Sequence, residues 1–168
     1  MTLPGQQVPL ANAVEALIDY RGKTPPKSTC GVWLITAKVI KDGSLDSGER
    51  EYITEETYSQ WMTRGFPEPG DVLLTTEAPL GEVAMVPAGA LVALAQRLIL
   101  LRAKQGTVHP QYLFAAMRSP LMQARLRERA TGTTVLGIKQ AELRRVLLPV
   151  PSLATQRRSG RFFQRLTT

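Results

Sequence analysis

The sequence is poor in the residues from which active sites are usually built. It holds one cysteine, Cys30, and one histidine, His109, in 168 residues. A single cysteine excludes an internal disulfide and a cysteine-based zinc site of the chain's own. A single histidine leaves little for a metal cluster or a Ser–His triad. Its place just before Pro110, at a predicted helix start, suits capping or a surface role. No apolar run approaches 18 residues, so no membrane-spanning helix is predicted. The N-terminus lacks the basic-then-apolar pattern of a secretory signal, and the expected location is the cytoplasm.

Other signatures are missing as well. There is no G-x-x-x-x-G-K, no G-x-G-x-x-G and no H-E-x-x-H. The glycines fall in Asp42-Gly43, Pro69-Gly70 and Leu80-Gly81 turns, not in the Gly-rich strand-to-helix turn of an adenosylmethionine pocket. Acidic charge is nearly absent from the second half. Residues 85–168 hold 14 Lys and Arg against Glu128 and Glu142, a net of +12, while residues 1–84 hold 7 basic and 12 acidic residues, a net of −5. A metal-dependent nuclease needs clustered carboxylates. Only Asp71, Glu77 and Glu82 could converge, across one predicted hairpin, and carboxylates beside turns are ordinarily solvated.

What is present is a strongly basic half in an ordinary globular composition, 43% hydrophobic and long enough for one sizeable domain. Such an imbalance points to a polyanionic partner, nucleic acid ahead of membrane lipid, against the plainer reading of a solvated basic surface. Leu10, Val14, Leu17 and Ile18 predict a short amphipathic helix over 8–18. Strands are predicted at 32–37, 51–53, 71–76, 82–86 and 145–150, with one or two more in the apolar run 90–101, interrupted by Gln96 and Arg97. Helices are predicted at 55–64, 110–118, 120–130, 139–144 and along the tail, 154–166, with residues 133–138 extended. Strands outnumber helices without regular alternation, so an α+β domain with a mixed or antiparallel sheet is expected.

Candidate DNA-binding residues sit on the predicted loops. Thr131-Gly132-Thr133-Thr134 joins a helix to an extended segment with small hydroxyls, which suit phosphate or base-edge contacts. Lys139 and Gln140 follow; Gln can pair with adenine and Lys with guanine or phosphate. Arg21, Lys23, Lys38 and Lys41 add donors, and Thr76 ends a predicted strand at a turn. One by one each of these reads more simply as a solvated loop residue. Arg125, Arg127 and Arg129 spread around their helix and cannot meet one phosphate row. Phe162, Phe163 and Leu166, on an otherwise basic helical tail, form an apolar patch for a partner helix, a second copy or the domain itself.

Seven ordered blocks carry a family resemblance: DYRGKTPP (19–26), LITAKVIKDGSLD (34–46), YITEETYSQWMTRG (52–65), PEPGDVLLTTEAPLGEVA (67–84), LAQRLILLR (94–102), YLFAAMRSP (112–120) and ATGTTVLGIKQAELRRVLLPVP (130–151), with the trailing Gln156. Together they resemble a target recognition domain of the specificity subunit of type I restriction–modification systems. The resemblance implies a double-stranded DNA reader with no catalysis and no cofactor of its own. Each such domain would read one half of a split target. Its partners would be modification subunits that methylate adenine with S-adenosylmethionine and, through the complex, ATP-dependent restriction subunits. The loops at 76–81 and 131–139 would lie on or near the DNA side. Residues 1–153 would form the recognition domain, and 154–168 the start of a spacer helix touching modification subunits.

The family's usual Pro-Pro-Leu-x-x-Gln ending stands here as Pro151-Ser152-Leu153-Ala154-Thr155-Gln156. About 12 residues of spacer reach only about 18 Å. A fragment, a self-pairing half-subunit and a degenerate product are the competing expectations. Two further readings are the recognition part of a fused restriction–methylation enzyme and a lone domain that chiefly binds a partner protein.

Overall fold

The structure is a computed structural model that describes residues 5–20, 24–46, 48 and 50–164, with 160–164 as backbone. Along the chain run β1 (Gln6–Pro9), α1 (Leu10–Ala13), β2 (Val14–Asp19), β3 (Val32–Ile35), a 3-10 turn at Ala37–Val39, β4 (Ile40–Lys41), β5 (Ser44–Leu45), β6 (Glu51–Ile53) and α2 (Glu55–Trp61). Then come β7 (Val72–Thr76), β8 (Leu80–Met85), β9 (Val92–Leu94), β10 (Leu98–Ala103), α3 (Pro110–Arg118), α4 (Pro120–Glu128), α5 (Gln140–Arg145), β11 (Leu147–Val150) and α6 (Leu153–Gln164).

The centre is an antiparallel sheet in the order β2-β10-β7-β8. Its two inner strands are apolar on both faces. Leu73, Leu98 and Leu100 enter one hydrophobic cluster, while Val72, Leu74, Ile99 and Leu101 enter the other. A strand buried on both faces reads as a continuous apolar run, as 72–74 and 98–101 do. The first cluster is closed by the mixed sheet β6-β3-β9, in which β3 pairs parallel with β9 and antiparallel with β6, and by Tyr58 of α2. The second is closed by α3, α4 and α5 through Tyr112, Leu113, Met117, Met122, Leu126 and Leu143. Three layers therefore share two cores, and the α+β expectation with mixed and antiparallel pairing holds.

Two helix starts follow their sequence signals. The Thr54 hydroxyl accepts the Thr57 N–H at 3.1 Å ahead of Glu55 and Glu56, and the Ser119 hydroxyl accepts the Met122 N–H at 3.3 Å ahead of Pro120.

The predicted helix over 8–18 is corrected. Only Leu10–Ala13 is helical; Gln6–Pro9 pairs with β11 and Val14–Asp19 pairs with β10. Hydrogen-bonding to the edge of β10 outweighs the local helical spacing. A register shift at Arg102/Ala103 also hides the two-residue period, because Val14 faces the second core and Ile18 the first. The extended reading of 133–138 is refined to a loop closed at its base by an isolated bridge between Thr131 and Gly137.

At the other end of the chain, α6 packs along α3. Gln156 is fully buried there. Its Oε1 accepts the His109 N–H at 2.8 Å, and its Nε2 donates to the carbonyls of Thr107 at 3.0 Å and Pro151 at 2.8 Å. One amide thus satisfies the exposed backbone of a helix start and of the turn into α6. His109 occupies the N-cap position of α3, but its side chain makes no capping bond.

A candidate nucleic-acid interface

The central sheet has two chemically different ends. At one end, β7 closes at Thr76, β8 opens at Leu80 and β10 opens at Leu98. Thr76 is the junction there. Its N–H donates to the Arg97 carbonyl at 2.9 Å, and its carbonyl accepts the Ile138 N–H at 3.0 Å. Two backbone bonds therefore tie the turn before β10 and the segment before α5 to the same residue. Glu77 pairs next with Gly137, and Gly137 with Thr131, whose N–H and C=O bond Gly137 at 2.9 and 3.0 Å.

Above that base stands the loop 132–136, exposed along its whole length. Gly132 has a φ of 127°, and a Cβ on it would lie 2.0 Å from the Val135 carbonyl oxygen, so the loop needs glycine at this corner. Thr133 and Thr134 form the exposed tip beside Val135 and Leu136, which are 50% and 48% exposed.

The turn at 77–79 is a ridge between two grooves. One, of about 330 Å³, is lined by Thr76, Glu77, Gln96, Arg97 and Lys139 among others. The other, of about 550 Å³, is lined by Lys38, Lys41, Asp46, Pro79 and Glu82 among others. Lys38, Lys41, Arg97 and Lys139 are all exposed. Lys41 stands 3.6 Å from Asp46, whose carboxyl is held below the usual carboxylate range by the Gly48 N–H first and Lys41 second. Glu82 accepts the Asp42 N–H at 3.1 Å, and Glu77 stands 3.0 Å from the Arg97 Nε. Both grooves are therefore of mixed charge, with cations at their rims.

Of the residues singled out in the sequence, Lys38, Lys41, Thr76, Thr133, Thr134 and Lys139 fall on this one end of the domain. Gln140 is the first residue of α5, half-buried, and lines neither groove. Arg21 and Lys23 lie outside the described residues; the neighbouring Thr24 hydroxyl accepts from Gln96 Nε2 at 2.8 Å. Leu166 also lies outside the described residues. Phe162 and Phe163 fall on the backbone of α6, and their side chains lie outside the described set. Sequence reasoning passed over Arg97. Its signal was the polar pair Gln96-Arg97 breaking an apolar run, which marks a turn.

The carboxylates that a nuclease would need do not converge. Asp71 and Glu77 lie at opposite ends of β7, and Asp71 is buried against Arg102, whose Nε and Nη2 reach its two oxygens at 2.9 and 2.8 Å. That bidentate bond first, with Coulombic attraction, raises the Arg102 pKa against the opposing effect of burial. Among the described residues no group of acidic, His and Cys side chains has a metal-binding arrangement, and no helix is long and apolar enough to cross a membrane. Two of the three helix arginines are also occupied: Arg125 Nη1 donates to Gln7 Oε1 at 2.8 Å and to the Leu147 carbonyl, and Arg129 pairs with Glu142 at 3.0 Å.

Residues 20–168 match the family of type I restriction modification DNA specificity domains. The chain belongs to that family. A relative, the type I restriction enzyme MjaIX specificity subunit of Methanocaldococcus jannaschii, is 32% identical over 114 residues, covering 68% of this chain and 25% of its own length. Two solved structures share the fold. A chain from a type I R-M system, solved for its complex assembly and conformational transition, superposes with a TM-score of 0.72 at 18% identity over 99% of this chain and 39% of its own. The HsdS subunit of Thermoanaerobacter tengcongensis gives 0.70 at 20% identity, over 98% and 42%. The specificity domain thus spans a quarter to about two fifths of the length of these relatives. The family is a specificity component and not a catalytic one.

Proposed function

We propose that this specificity domain binds double-stranded DNA in a sequence-dependent way and reads one half of a bipartite target. Modification subunits and, through them, restriction subunits would act where it binds, in the cytoplasm. Residues 1–153 are the reading unit in this proposal, and 154–168 begin a spacer that presents Phe162, Phe163 and Leu166 to a partner helix or a second copy.

One observation carries the reading. Backbone bonds at Thr76 gather three loops, distant in sequence, onto one end of the sheet. Exposed Arg97 and Lys139 line the groove on one side of the 77–79 turn, exposed Lys38 and Lys41 the groove on the other, and the exposed loop tip carries the hydroxyls of Thr133 and Thr134. Cations and hydroxyls on fixed loops are the donors that hold phosphates and read base edges.

The test is selection of bound duplexes from a randomised pool by the full chain, followed by anisotropy across a salt series. An enriched motif is expected, with a slope of about −4 to −5 in log K against log salt for roughly 4–6 neutralised phosphates. A flat salt response, or no enrichment with or without a modification subunit, overturns the reading.

A further inference from the structure

Arg97 differs from the other cations on this face. Its backbone is in the left-handed region, with φ 67°, a conformation that side chains other than Gly and Asn adopt at a cost. Its carbonyl is held by the Thr76 N–H, so the turn cannot relax without breaking that bond. Its Nε stands 3.0 Å from Glu77 Oε1. Glu77 is held in turn by its bridge to Gly137. A Cβ on Gly137 would come 3.3 Å from the Glu77 Cβ and 3.4 Å from Oε2, so the carboxylate lies closely against a residue with no side chain. The Arg97 guanidinium is over half exposed, and its two terminal nitrogens have no hydrogen-bond partner among the described residues.

A phosphate contact needs none of this. Lys38 and Lys139 are exposed cations on long stems, which suffice for a backbone that runs past them. A carboxylate beside a phosphate-binding arginine would repel the phosphate. A carboxylate on the Nε side has a different effect: the ion pair, at 3.0 Å, keeps the guanidinium beside Glu77 while both terminal nitrogens stay unpaired among the described residues. A planar guanidinium offers those two nitrogens to two acceptors side by side, the O6 and N7 of guanine in the major groove. The negative charge of Glu77 also lowers attraction to DNA of the wrong sequence.

We propose that Arg97 is a base-reading residue of this domain, taking the O6 and N7 edge of a guanine, and that Glu77 is its positioning residue. The assignment rests on the DNA-reading function proposed above and deepens it.

The test uses the full chain and its Arg97→Lys, Arg97→Ala and Glu77→Gln variants. Each is put through selection from the randomised duplex pool, and then competition between the enriched duplex and single-base replacements across a salt series. Both side chains are substantially exposed, so thermal unfolding should be unchanged. The wild type should show one guanine whose replacement weakens binding roughly ten- to hundred-fold. Arg97→Lys and Arg97→Ala should both erase that preference and leave the other positions intact. Arg97→Lys keeps the charge and the salt slope. Glu77→Gln should tighten binding to random duplexes while narrowing the guanine preference, which a merely structural pair would not do.

Two results overturn the assignment while leaving the DNA-reading function in place. One is full retention of every preference by Arg97→Lys. The other is an Arg97→Ala effect that is uniform across sequences and lowers the salt slope by about one, the mark of a phosphate contact. If the wild type itself enriches no motif, the DNA-reading function fails, and this assignment fails with it.

Discussion

Two buried polar side chains hold the join between α3, β11 and α6. The Tyr112 hydroxyl donates to the Pro149 carbonyl at 2.5 Å, and Gln156 bonds three backbone groups. Gln156→Ala leaves an N–H and two carbonyls without their partner at a largely buried join. It should cost ~2–3 kcal/mol in urea unfolding, with the midpoint lowered and the slope unchanged. A loss under about 0.5 kcal/mol would show that water replaces the amide freely. Burial pushes the Tyr112 phenol up to about 12, and burial first also raises those of Tyr20 and Tyr58. In the unfolded chain the phenol ionises near its usual value of about 10. Below that pH both states are neutral and the stability is fully present. Between about 10 and 12 the unfolded state has lost a proton that the folded state keeps, so stability falls as pH rises. Urea midpoints across that window should decline in the wild type and less steeply in Tyr112→Phe.

At the scale of elements, the loop 132–136 is a small projection, tied at its base by Thr131 and Gly137, whose shape depends on Gly132. Gly132→Ala puts a Cβ against a carbonyl oxygen at a backbone angle that alanine rarely adopts. The loop is exposed and separate from both cores. The variant should therefore lose DNA affinity at least tenfold while global unfolding shifts by less than about 1 kcal/mol. Unchanged binding would remove the loop from the interface. The elements also show what the sequence made legible. The strands expected at 71–76 and in the run 90–101 are readable because 72–74 and 98–101 are buried on both faces, and α3 and α4 because Pro110, Ser119 and Pro120 mark their starts. The strands within 6–19 are not readable, because their partners, β11 for Gln6–Pro9 and β10 for Val14–Asp19, lie 80 or more residues away and a bulge breaks the alternation of the second. At the site, the lysines and threonines announced themselves as polar residues on loops. Arg97 did not, because only the bonds at Thr76 bring its turn beside Glu77.

At the scale of the molecule, the central sheet is shared by both cores, so neither can be lost alone. Leu73 and Leu74 are neighbours in β7 that face opposite clusters, and both are fully buried. Leu73→Ala and Leu74→Ala should each cost ~2–5 kcal/mol. Trp33 and Trp61 both pack on the first cluster, so their fluorescence reports that layer, while far-ultraviolet dichroism is weighted to the helices of the other. The two signals should move together in each variant, as one cooperative unit requires. Separated transitions would show that the layers fold independently.

The opposite ends of the six-residue β10 are about 17 Å apart, five steps of ~3.3 Å each. The groove at the far end, about 350 Å³ and lined by Asp71, Arg102, His109, Leu153 and Arg157 among others, lies where α6 begins against α3. A change at Arg97 or Thr133 therefore touches neither core nor the seat of Gln156. Under the proposed function, divergence in the turns would be uncoupled from the scaffold's stability, and a lineage could drift to a new target through a few turn residues without refolding. A library confined to 77–79, 96–97 and 133–136 would sample new specificities from a population in which most members still fold.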